Sequence, residues 1–162
     1  MIFGLPGSGK STFALTLSQT LKLPLYHLDK YFYVENWVER DKEDFLNIQN
    51  TLVEKDTWII DGNAVRSLEM RYRRADLALY FCVPRLVCLS RLIQRRLLKN
   101  TSIKDRASGC RERLPFHLIR YMWTFDHRVH PILVSLQETY PHTPFYTIRS
   151  LKELESIPNL MP

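Results

Sequence analysis

The sequence predicts an α/β domain built on a five-stranded parallel sheet with helices on both faces. Three observations carry this. Short apolar runs alternate with amphipathic segments along the whole chain, the pattern of strands joined by crossover helices. Residues 77–83 (LALYFCV) are continuously apolar, as a strand covered on both faces must be. Finally, Gly4-Leu5-Pro6-Gly7-Ser8-Gly9-Lys10-Ser11 stands between the first apolar run and the first helical one. That is the strand–loop–helix setting of a phosphate-binding loop.

The elements follow in order. Residues 1–3 read as a strand stub, and 9–21 as a helix with Phe13, Leu17 and Leu21 on one face, ended by Pro24. Residues 25–28 are a short strand. Asp41 caps a helix in which Phe45, Ile48 and Leu52 recur at helical spacing. Residues 58–60 form a brief apolar strand stopping at Asp61-Gly62, and 77–83 form the next. Pro84 starts an Arg-rich helix to about residue 99, and 100–110 (NTSIKDRASGC) are a polar excursion. A second long helix covers about 113–138, with Leu118, Met122, Phe125 and Val129 on one side. Residues 145–148 give the last strand, and Ser150-Leu151-Lys152-Glu153 is a capping box for a final helix. With no repeat, low-complexity tract or linker, residues 1–162 read as one domain.

Bulk properties narrow the class. No apolar run approaches the roughly 18 residues of a membrane span, and the start lacks the charged lead of a signal peptide. The three cysteines match no metal-ligand spacing and read as reduced thiols of a cytoplasmic protein. The net charge is +6, but residues 66–128 carry 15 Lys/Arg against 5 Asp/Glu, while the remainder carries 8 against 12. A basic centre inside an acidic frame points to a polyanionic ligand, either nucleoside triphosphate or nucleic acid.

The loop matches G-x-x-x-x-G-K-[ST] in full. Its glycines let the backbone curl with N–H groups inward, and the following helix adds its positive end. Gly4, Pro6, Gly7, Ser8, Gly9, Lys10, Ser11 and Thr12 are therefore expected to hold ATP, with Lys10 reaching the β- and γ-phosphates and Ser11 ligating Mg²⁺. Asp61 ends an apolar strand, the Walker-B arrangement, and is expected on the metal side; a surface Asp-Gly turn is the alternative. Asp29, after the second strand, faces the acceptor side, where a carboxylate orients a hydroxyl and takes its proton. A helix cap or a second metal-side acid are its alternatives. Tyr31, Phe32, Tyr33 and Trp37 offer either stacking surfaces for a planar substrate or packing under a loop. His27 alternates with Leu28 and reads as a packing histidine rather than a ligand.

Arg91 and Arg95 are four apart and share a helix face, with Arg96 adjacent. Arg106, Arg111 and Arg113 follow in a segment, about 100–113, with the composition of a lid. Guanidinium groups there stabilise charge on a transferred phosphoryl once water is expelled. Two or three of the six are expected to touch phosphate: Arg91 and Arg95 at the nucleotide, with Arg95 and Arg106 acting in catalysis. Arg71 is placed to reach an anionic group of the acceptor.

The set GLPGSGKST, HLD, WIIDGN, ADLALYFCVPRLVCLSRLIQRR, GCRER and YMWTF resembles bacterial P-loop proteins known as DNA topology modulation proteins, relatives of adenylate kinase and shikimate kinase. The resemblance runs nearly end to end. It implies a nucleoside/nucleotide kinase-like P-loop fold with a lid, ATP binding at residues 7–12, and Arg95 over the adenine or its phosphates. It also implies a few more residues ahead of the loop than the three present here. Where adenylate kinases continue Asp-Gly-x with Pro-Arg to grip the acceptor's phosphate, this chain has Ala64-Val65 after Asn63, so adenylate kinase activity itself is not implied. The hydroxyl-phosphorylating relatives keep an Asp where Asp29 stands.

A small-molecule kinase with an unidentified acceptor therefore accounts for these residues. A nucleotide-dependent regulator or DNA-associated ATPase is the second reading, and the chain carries no recognisable helix-turn-helix or other nucleic-acid module. Steep loss of DNA binding between about 50 and 200 mM salt would mark it.

Overall fold

The computed structural model describes residues 1–98 and 116–157. Its strands are β1 (Ile2–Gly4), β2 (Leu25–His27), β3 (Ile59–Asp61), β4 (Ala78–Phe81) and β5 (Phe145–Ile148). Between them lie α1 (Lys10–Leu21), α2 (Leu28–Phe32), α3 (Lys42–Val53), α4 (Leu68–Tyr72), α5 (Arg85–Leu97) and α6 (Phe116–Thr139). The five strands pair in parallel in the order β2-β3-β1-β4-β5. This is the expected α/β sheet. The order reverses around β1, so the loop leaving β1 opens at a switch point, where such sheets bind ligands.

Side-chain alternation divides the core. Phe3 and Tyr80 stack at 5.2 Å on one face, under Leu92 of α5 and Met122, Phe125 and Val129 of α6. Ile2, Leu79 and Phe81 point to the other face, onto Phe13, Ala14 and Leu17 of α1. Leu28, Phe45, Leu52 and Ile60 form a third cluster beneath α2 and α3. Each such side chain contributes about 1.5–3 kcal/mol on full burial. The ends of β1 and β3, which carry the loop and Asp61, are thereby held from both sides. Asp41 caps α3 as expected, its Oδ1 accepting from the N–H groups of Glu43 at 2.8 Å and Asp44 at 3.3 Å. Those bonds hold its carboxyl below the usual range.

Beyond small shifts at the ends of β4 and α6, and the short helices α2 and α4 that periodicity does not show, three departures from the sequence reading have a visible cause or consequence. β2 ends at His27, so Leu28 opens the short helix α2 instead of completing the strand, and Asp29 follows inside that helix. The cause is packing: Leu28 is buried against Gly62 of the neighbouring chain turn. β3 is shifted by one and includes Asp61. The last element is a 3-10 helix over Leu151–Ser156, not a capped α-helix. Ser150 makes no side-chain cap, and the Glu153 carboxylate accepts from the N–H of Arg149 instead, at 2.8 Å. Pro158 lies just beyond, and Ile157 takes the extended conformation that precedes proline (φ −82°, ψ 118°).

Gly62 has φ +146°, and a Cβ there would stand 2.7 Å from Leu28 Cβ. Gly62→Ala combines an unfavourable backbone with a clash, and should cost about 2 kcal/mol. Chemical denaturation reads this as a lower midpoint with unchanged slope.

Candidate nucleotide site

The loop is shaped by contacts on both flanks. The Gly4 N–H donates to Asn63 Oδ1 at 2.9 Å, and the Leu5 N–H donates to the Phe81 carbonyl at 3.1 Å. The Ser8 N–H closes back on the Leu5 carbonyl at 3.2 Å. Gly7 has φ +78°, and a Cβ there would lie 2.5 Å from the Cys88 carbonyl, so the loop rests directly on the backbone of α5. Pro6 contributes rigidity but no donor.

Gly9 has φ +95° and precedes α1 without a side-chain cap. The first bond of the helix runs from the Phe13 N–H to the Gly9 carbonyl at 3.0 Å. The N–H groups of Lys10, Ser11 and Thr12 therefore have no intrahelical acceptor. Ser8 is fully buried, and its Oγ has no hydrogen-bond partner among the described residues. Arg91 reaches across from α5 and donates to the Ser8 carbonyl at 3.1 Å. Arg95 is half-buried one turn further along and Arg96 is exposed. Arg106, Arg111 and Arg113, with the expected lid at 100–113, lie outside the described residues.

Asp61 is 3% exposed. Its Oδ2 accepts from His27 Nδ1 at 2.8 Å, while Oδ1 has no partner among the described residues. Burial alone pushes the Asp61 carboxyl up. The Lys10 ammonium, the His27 bond and the adjacent Ser11 hydroxyl together outweigh burial and hold it below the ordinary carboxylate range. Asp61 is thus an ionised acid with Lys10 and Ser11 beside it.

One sequence reading is corrected here and another extended. Arg71 does not reach toward an acceptor. It is fully buried, and its guanidinium donates to the carbonyls of Gly62 at 2.8 Å, Asn63 at 3.1 Å and Ala64 at 3.0 Å. Burial pulls its pKa down to about 10, opposed by the charge of Asp61. It is a strut that fixes the turn after β3, because three successive carbonyls turn inward there. His27 is buried, as a packing histidine should be, but it also carries the polar contact to Asp61.

Beyond β2, Asp29 is exposed in the first turn of α2. Tyr33 meets Phe32 at 4.7 Å and Trp37 at 4.9 Å, and Phe32 meets Phe45 at 5.0 Å, so these aromatics pack on one another. Sequence reasoning missed Asn63 and Tyr121. Asn63 links Gly4 to the Tyr121 hydroxyl on α6, which also feels the charges of Arg128 and Asp29. The Arg128 guanidinium lies 4.7 Å from the Tyr121 ring centre. Asn63 and Tyr121 both stand in stretches that carry the resemblance, Asn63 at the end of WIIDGN and Tyr121 at the start of YMWTF, but those stretches give neither residue a role.

The residues fit a nucleotide with a divalent cation. Lys10 and Ser11 lie beside an Asp61 oxygen that has no partner among the described residues, next to helix-start amides without intrahelical acceptors, which is the chemistry of a phosphate and hard-metal site.

No protein-family model and no curated protein matches this chain; the resemblance to DNA topology modulation proteins is thus without a family match. Among solved structures, the chain is similar to a shikimate kinase from Acinetobacter baumannii in complex with shikimate. The identity is 14% over 92% of this chain and 82% of that one, with a TM-score of 0.48. It is also similar to the shikimate kinase from Aquifex aeolicus, at 21% identity over 87% and 99% of the two chains and a TM-score of 0.44. The P-loop α/β architecture is visible in the sheet order and the loop themselves. No helix among the described residues is long and apolar enough to cross a membrane.

Proposed function

We propose that this protein is an ATP-dependent phosphotransferase acting on a small hydroxylated acceptor. The observation that carries the reading is the convergence of open loop amides, Lys10 and the ionised, half-satisfied Asp61 at one end of a parallel sheet. Lys10 and the amides of residues 10–12 hold the phosphate chain, and Ser11 and Asp61 hold the cation. A divalent cation held by Ser11 and Asp61 would supply charge neutralisation for the phosphate chain. Arg91 steadies the loop through the Ser8 carbonyl, and Arg95 and Arg106 are assigned to charge on the transferred group. Asp29 orients the acceptor hydroxyl and takes its proton.

Two measurements test this. ADP release with Mg·ATP should be stimulated by at least one member of a panel of nucleosides, nucleotides and hydroxylated metabolites, with Lys10→Ala as the blank. With that acceptor, Asp29→Asn should lower turnover about 100-fold while ATP affinity changes less than about twofold. Unchanged turnover would remove Asp29 from its role.

A further inference from the structure

The end of β2 carries a contact that the loop chemistry does not require. His27 and Asp61 are register partners on adjacent parallel strands, so their side chains leave the sheet on the same face. Both are buried, at 6% and 3% exposure, and they meet at 2.8 Å. An ionised carboxylate only accepts, which places the proton on His27 Nδ1 and makes the histidine the donor. The bond occupies Asp61 Oδ2 alone. Oδ1, equally buried, accepts nothing among the described residues.

This asymmetry distinguishes a positioning contact from a packing one. A buried carboxylate serving only the fold would have both oxygens satisfied, because an unmet acceptor there costs about 1–3 kcal/mol or more. A carboxylate with one oxygen tied and the other open is the arrangement in which an outer partner fixes the orientation of a metal-side group. Without His27, Lys10 could draw either oxygen to itself, and the acid would lose its single orientation.

We propose that His27 is a positioning residue that holds Asp61 with Oδ1 turned toward the divalent cation accompanying the nucleotide. The inference rests on the functional reading above and extends it to a residue outside the loop. It makes His27 a determinant of cation retention, not of nucleotide binding as such.

The test separates the two. Binding of a fluorescent ATP analogue is measured in EDTA and then in Mn²⁺, with Mn²⁺ retention read by electron paramagnetic resonance. His27→Phe keeps a ring of similar volume and removes the donor. It should leave binding in EDTA within about twofold of wild type and weaken Mn²⁺ retention about tenfold or more. His27→Asn, whose Nδ2 stands near the position of the imidazole Nδ1, should restore most of the loss. His27→Gln reaches too far and should not, which keeps the test intact should the Phe variant fail to fold. Equal losses in EDTA and Mn²⁺, or Mn²⁺ retention unchanged in both Phe and Gln variants, would overturn the proposal. A wild-type protein that binds no analogue in either medium would overturn the functional reading and this inference together. Binding by the wild type with no effect of His27 would overturn the inference alone.

Discussion

Lys10→Met should abolish acceptor-stimulated ADP release, lowering turnover by about 100- to 1,000-fold, the scale for losing one preorganised donor to a phosphoryl or oxyanion centre. Two effects act together. The ammonium is the group that reaches the transferred phosphate, and methionine has nothing to replace it. Lys10 is also the largest of the influences that keep Asp61 ionised against its burial. Removing it strips charge from both sides of the site. Circular dichroism and the melting temperature should stay close to wild type, because Lys10 is half-exposed at the start of α1 and supports no apolar cluster. A variant that retains more than about a tenth of wild-type turnover would remove the loop lysine from the chemistry.

The second large effect falls on stability. Arg71→Met should lower the unfolding free energy by about 3 kcal/mol, measured by urea denaturation. Methionine fills part of the volume but leaves the carbonyls of Gly62 and Asn63 without the guanidinium, while the Ala64 carbonyl keeps the N–H and hydroxyl of Ser67. Each stranded carbonyl costs of order 1 kcal/mol or more. The loss is tempered because Arg71 Nε is itself buried without a partner among the described residues, and the variant is relieved of that charge's desolvation. The turn it supports bears Asn63, the partner of Gly4, so the loop should loosen as well. Loss of nucleotide affinity in the folded variant would report this directly.

The elements most legible in the sequence were those set by local chemistry. Residues 77–83 contain β4 because only a strand covered on both faces reads so evenly apolar. The loop was legible because its glycines and lysine must occur at fixed spacing to curl a backbone around phosphate. Asp41 declared itself by the helical periodicity that follows it. What stayed hidden depends on register and packing between distant segments. That His27 stands opposite Asp61 follows from how β2 pairs with β3, and no window of sequence contains both. Arg71 was read toward an acceptor because it follows shortly after Asp61-Gly62-Asn63; three inward carbonyls, invisible in the sequence, reversed that. The capping box at Ser150 failed for a related reason: Ser150 makes no cap, the Glu153 carboxylate bonds the Arg149 N–H instead, and the segment winds as 3-10.

The central claim is that the site passes the γ-phosphate of ATP to a small organic hydroxyl. Following the label from γ-³²P-ATP through a reaction with the acceptor panel tests it directly. The account predicts label in a phosphate ester of one acceptor, formed in step with ADP, absent with Lys10→Met and sharply reduced with Asp29→Asn. Label recovered only as inorganic phosphate at a rate no acceptor alters, or raised by DNA alone, would contradict it.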